Sequence, residues 1–116
     1  MKIYDAFEPY LPDYIVIDKR FDGMVDIWEK YVIRFGTENC FDELKEALKM
    51  GKYPEATSLA HRLKGDALNL AFHTYADVID ELLNVLKSND KSGLKEKFLE
   101  VEKMHNELQE IYMKLQ

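Results

Sequence analysis

Between about Pro54 and Phe72 the apolar residues Ala56, Leu59, Ala60, Leu63, Ala67 and Leu70 recur at helical spacing. Wound at about 100° per residue they form a single stripe. A helix so patterned must cover its stripe with other elements, so this segment decides what kind of core the chain can build. The same winding sends His61 away from the stripe, nearly opposite it. Lys64 and Gly65 follow at i+3 and i+4, where side chains share a face with residue i. A histidine in solvent, with a cation one turn away and bare backbone beside it, is a docking site with a nucleophile at its centre.

The flanking segments carry the same period. Met24, Ile27, Trp28, Tyr31 and Phe35 predict a helix over about 23–35, with Trp28 in the core and Gly36 placed to stop it. Thr37 or Asn39 is placed to cap a second helix, whose inner side is Phe41, Leu44, Ala47 and Leu48 and which ends near Gly51. Pro54 falls in the first turn of the central helix, where proline is tolerated. Tyr75, Val78, Ile79, Leu82, Val85 and Leu86 give a further inner face before Ser88-Asn89-Asp90 breaks the pattern. Leu94, Phe98, Val101, His105, Leu108, Tyr112 and Leu115 then alternate steps of four and three, the seam of a helix packed lengthwise on others. Upstream, Pro9 and Pro12 interrupt residues 1–21, which read as a short helix, a turn and an extended piece at Tyr14 to Ile17. With no second strand to pair with, that piece is expected to pack over one end as a lid. The fold expected is all-α: an antiparallel up-and-down four-helix bundle over 22–116 with a short N-terminal extension, 1–21, on one end.

At 116 residues the chain is expected to be one domain, 1–116, too short to add a nucleotide-binding domain. A net charge of -6 with no basic run excludes a nucleic-acid surface, because neutralising phosphates takes clustered Lys and Arg. The lone Cys40 reads as an ordinary reduced residue. The N-terminus lacks a signal-peptide pattern, and no stretch approaches the roughly 18 apolar residues that cross a bilayer. A cytoplasmic protein without membrane contact, most simply a monomer, is expected.

Residues 60–65, Ala-His-Arg-Leu-Lys-Gly, resemble the phosphoacceptor helix of the histidine-containing phosphotransfer (HPt) domains of two-component phosphorelays, marked by His-x-x-Lys-Gly. Phe21-Asp22-Gly23, Ile27-Trp28, Phe35, Leu44, Ala47-Leu48, Gly51 and Tyr53 resemble the family's approach to that helix. Asn69-Leu70-Ala71 and Asp77 to Asn84 fit downstream. The likeness is close over about 21–90 and rests on helical pattern alone beyond. It implies a phosphocarrier rather than an enzyme: His61 accepts a phosphoryl group from a receiver-domain aspartate and passes it to another, Lys64 offsets its charge, and Gly65 leaves room for the partner. The partners implied are response-regulator receiver domains and a sensor or hybrid histidine kinase, docking over Leu68, Arg62, Asn69 and Leu83. The Mg²⁺ that phosphoryl transfer needs would belong to the receiver, so no cofactor and no metal is expected here.

The chemistry suits the residues. Imidazole has a reference pKa of about 6.5, so exposed imidazole is mostly neutral near pH 7 and offers a nitrogen lone pair to phosphorus. A glycine inside a helix costs about 0.5 to 1 kcal/mol relative to alanine, so local propensity does not account for Gly65. Leu68 projects about 20° from His61. His73 reads as a cap or surface residue and His105 as a core-edge histidine with a hydrogen-bond partner, not a metal ligand, because no His or Cys cluster accompanies it. Three positions depart from the family pattern. Asp66 replaces a small residue and is expected to pair with Arg62 at i+4, Ala71 replaces a usual glycine, and Leu83 stands where some members carry a Gln that bonds the histidine. Asp66 and Leu83 favour the alternative, a non-phosphorylated helical interaction module that binds receivers or kinases. The dimerisation region of a histidine kinase fits less well, since Arg62 and Asp66 stand where it usually has an acidic residue and a proline.

Overall fold

The computed structural model describes residues 2–115, and all regular structure among them is helical. Seven α-helices follow in order: α1 Lys2–Phe7, α2 Tyr14–Arg20, α3 Val25–Phe35, α4 Cys40–Lys49, α5 Tyr53–Asn69, α6 His73–Lys87 and α7 Leu94–Lys114, with a 3-10 turn at Glu8–Tyr10. Helix α5 packs between α4 and α6, and α6 packs on α7. Phe41 of α4 stacks on His105 of α7, 3.8 Å between ring centroids, and Lys45 meets Glu102 at 2.6 Å, so α4 and α7 also touch.

The apolar stripe of α5 is where the periodicity put it. Ala56, Ala60, Leu63, Ala67 and Leu70 are buried and Leu59 packs against the core. The helix ends at Asn69, three residues before the expected Phe72. Ala71 takes φ +68, and the N–H groups of Ala71 and Phe72 turn back to the carbonyls of Leu68 (3.0 Å) and Ala67 (2.9 Å). That is the left-handed helix stop usually made with glycine, as Gly51 (φ +68) makes it after α4. An alanine is costly in this place, because a left-handed alanine costs about 1–2 kcal/mol.

Helix α3 lies at the end of the molecule where α5 hands over to α6. The Trp28 indole N–H donates to the Leu70 carbonyl at 2.9 Å, and the Tyr112 hydroxyl of α7 donates to the Val32 carbonyl at 2.6 Å. Phe7, fully buried, closes the same end against Phe72 and Tyr112. Residues 1–21 thus act as the expected lid over their described part, but Tyr14 to Ile17 are not extended. The Asp13 carboxylate accepts the Ile15 N–H at 3.1 Å and starts α2, a cap that overrides the β-propensity of Ile15, Val16 and Ile17. Neither proposed cap of α4 forms: Asn39 holds the position without a side-chain hydrogen bond, and the Thr37 hydroxyl donates back to Arg34.

Candidate functional site

The C-terminal half of α5 presents the site. His61 is exposed in mid-helix, and Arg62, Leu68 and Asn69 are exposed on the same half of it. Leu63, between them in sequence, is buried, so the core grips one side of the helix while the histidine faces out. A Cβ added at Gly65 would meet nothing within 4 Å, so neither a helix crossing nor a neighbouring side chain requires this glycine. With no side chain there, the space one turn from His61 stays open to an approaching partner.

Lys64 does not hang free. Its ammonium donates to the Asp80 carboxylate of α6 at 2.7 Å, and both side chains keep contact with solvent. The hydrogen bond from Lys64 is the main reason the Asp80 carboxyl sits below the usual carboxylate range; the charges of Lys64, Lys87 and His61 add to it. Asp80 thus feels both Lys64 and His61. Sequence reading missed it, although an α5–α6 hairpin turning near Ala71 sets position 64 roughly opposite 80.

At the C-terminal end of α5 the Arg20 guanidinium donates to the Leu68 carbonyl at 2.7 Å. A cation there suits the negative end of the helix dipole and satisfies a terminal carbonyl. Arg20 also joins Tyr31, Arg34, Asp66 and Asn69 around a cleft of about 450 Å³ between α2, α3 and α5. Nothing local in residues 1–21 signals this contact, which exists only because α2 is a helix.

Two expected roles fail. Leu83 is 1% exposed, so it is a core residue and not part of a docking face. Helix α6 packs on both α5 and α7 and therefore needs a broad apolar arc, which Ala76 and Leu83 widen. Arg62 and Asp66 form no ion pair among the described residues, so the half-buried Asp66 carboxylate is not neutralised that way.

The other candidates behave as structural groups. His105 stacks on Phe41, its Nδ1 lies 3.5 Å from the Tyr75 hydroxyl, and burial lowers its pKa. His73 is the partly exposed first residue of α6. Cys40 is buried, its thiol points to the Leu59 carbonyl at 3.4 Å, and burial pushes its pKa up to about 11, which leaves it unreactive. No group of three or more His, Cys, Asp or Glu able to hold a metal occurs among the described residues, and none of their helices is long and apolar enough to cross a membrane.

The helical domain thus displays one histidine in the middle of α5, beside a lysine and an open glycine. The Hpt domain family model matches residues 36–111, well over half of the chain, and the chain belongs to that family. No curated protein and no solved structure matches it. The match starts later than the resemblance read at Phe21 and extends past Asp90 through most of α7. Hpt domains are phosphocarriers of two-component phosphorelays, where they interact with receiver domains and kinases.

Proposed function

We propose that this protein is a phosphorelay intermediate in which His61 accepts a phosphoryl group from a receiver-domain aspartate and passes it to a second receiver. The observation that carries the reading is the exposure of His61 in mid-helix, with Lys64 one turn on and open space at Gly65. In the forward step an imidazole nitrogen attacks phosphorus as the acyl-phosphate bond breaks, the aspartate leaves as carboxylate, and the other ring nitrogen gives up its proton. Passing the group on reverses this at the second receiver. Lys64 offsets charge on the phosphoryl oxygens, and Leu68, Arg62 and Asn69 form the partner-docking surface. Helices α4 to α7 would act as an up-and-down four-helix bundle that holds α5 rigid. The Mg²⁺ for the transfer is supplied by the receiver, and the domain works as a cytoplasmic monomer without a cofactor of its own.

The alternative, an interaction module that does not take up phosphate, keeps Asp66 in its favour but loses Leu83, which is buried. The test is incubation with a phosphorylated receiver of its own pathway. Acid-labile, base-stable phosphate should appear on wild type, His73→Gln and His105→Gln and be absent from His61→Gln. Uptake that survives His61→Gln assigns the acceptor elsewhere.

A further inference from the structure

The Lys64–Asp80 pair sits one turn from the acceptor, yet a lysine already holding a carboxylate is not idle charge waiting for phosphate. Either the pair merely ties α5 to α6, or it takes part in the chemistry. Two observations and one chemical argument favour the second. Both partners remain in contact with solvent, 29% and 48% exposed, and an exposed pair of this kind is weak. Asp80 accepts the Lys64 ammonium through Oδ1 at 2.7 Å, and it lies within electrostatic reach of His61 as well. A phosphoryl group on His61 would bring three acceptor oxygens and nearly two negative charges within reach of the same ammonium, a stronger claim than one carboxylate makes.

We propose that Asp80 is a positioning residue for Lys64, and that the two form a charge switch: the ammonium rests on Asp80 while His61 is bare and moves to the phosphoryl oxygens when His61 is loaded. This rests on His61 being the acceptor. Asp80 then competes for Lys64 and shortens the life of the phosphorylated state. Loss of the group from histidine passes through a loose transition state. As the P–N bond opens, the phosphoryl unit moves from a dianion toward the metaphosphate monoanion and charge on its oxygens falls, so a cation held on those oxygens slows the loss and a carboxylate that draws the cation off speeds it.

The full chain is loaded with phosphoramidate: an imidazole nitrogen bonds to phosphorus, the donor's P–N bond breaks, ammonia leaves, and the imidazole sheds its proton. With donor removed and no receiver present, decay is followed by phosphorus NMR. Water oxygen bonds to phosphorus, the histidine P–N bond breaks, the ring nitrogen takes a proton, and inorganic phosphate departs. Asp80→Asn should lengthen the half-life roughly two- to fivefold, the span an exposed ion pair can shift, and Lys64→Met should shorten it. Asp80→Glu should stay near wild type. The double variant should match Lys64→Met alone, because Asp80 acts through Lys64. Thermal melting of each protein separates these effects from a loss of helix packing, which would lower melting without this dependence on Lys64. An unchanged half-life in Asp80→Asn, or the same lengthening with and without Lys64, overturns the switch while leaving His61 as acceptor. Phosphate that loads no better on wild type than on His61→Gln overturns the acceptor reading and the switch with it.

Discussion

Gly36 and Gly65 each follow directly on a helix-face residue of consequence, and they are kept for opposite reasons. A Cβ at Gly36 would lie 2.6 Å from two carbons of the Tyr112 ring and 2.8 Å from a third, and that ring is fixed by its hydroxyl bond to Val32 and by Phe7 against its side. At Gly65 the same Cβ meets nothing. One glycine is demanded by the packing of this chain on itself. The other has no internal cause, although a helix interior normally selects against glycine by about 0.5 to 1 kcal/mol. The end of the molecule under α3 is tightly packed, and the side of α5 that carries Gly65 is open.

The sharpest way to break this contrast is Gly65→Gln. A long side chain one turn from His61 leaves the helix intact and stands in the path of an incoming phosphoaspartate. A displacement of about 1 Å from attack geometry can cost roughly 10²-fold in rate. Receiver-to-domain transfer should fall by about that factor while melting stays close to wild type. Transfer at the wild-type rate would mean that the space at Gly65 is not part of the docking path.

Gly36→Ala should do the reverse. Its backbone, φ -64 and ψ -16, suits alanine, so the whole effect comes from the Tyr112 ring, which must shift or lose its hydrogen bond. Overpacking of this kind costs about 1–3 kcal/mol, readable as a lower urea midpoint, with phosphotransfer by the folded protein unchanged. Unaltered stability would show that the ring has room to yield.

The two glycines also mark how far sequence reaches. Gly36 is legible as a helix stop, and α3 does end there, but its backbone is right-handed and the reason for glycine is a ring 76 positions along the chain, from Tyr112. Periodicity found the buried faces of α4 to α7 because burial imposes the 3.6-residue repeat directly, but in α3 only Trp28 of the expected set is fully buried: Met24 and Tyr31 are exposed, and Val25 and Val32 turn inward instead. It placed His61, Lys64 and Gly65 on the exposed side for the same reason. It failed where a long-range partner or a single cap decides. Ile15-Val16-Ile17 reads as extended until Asp13 caps it, Leu83 reads as part of a docking face but is buried, and Asp80 has no meaning until α6 lies against α5.

The smallest expected effect is also the most diagnostic. Gly65→Ala adds one methyl group where the structure has open space, so no contact is gained or lost in the folded state. What changes is the unfolded chain, which has fewer conformations to surrender, and the helix interior, which favours alanine. Stability should therefore rise by up to about 1 kcal/mol, a small upward shift of the melting midpoint. The same methyl at Gly36 should move that midpoint down. Opposite signs for one substitution at two helix-associated glycines follow only if one of them is retained against the domain's own stability. Should Gly65→Ala melt lower than wild type, the glycine serves the fold after all, and its place beside His61 loses its force as evidence for a partner.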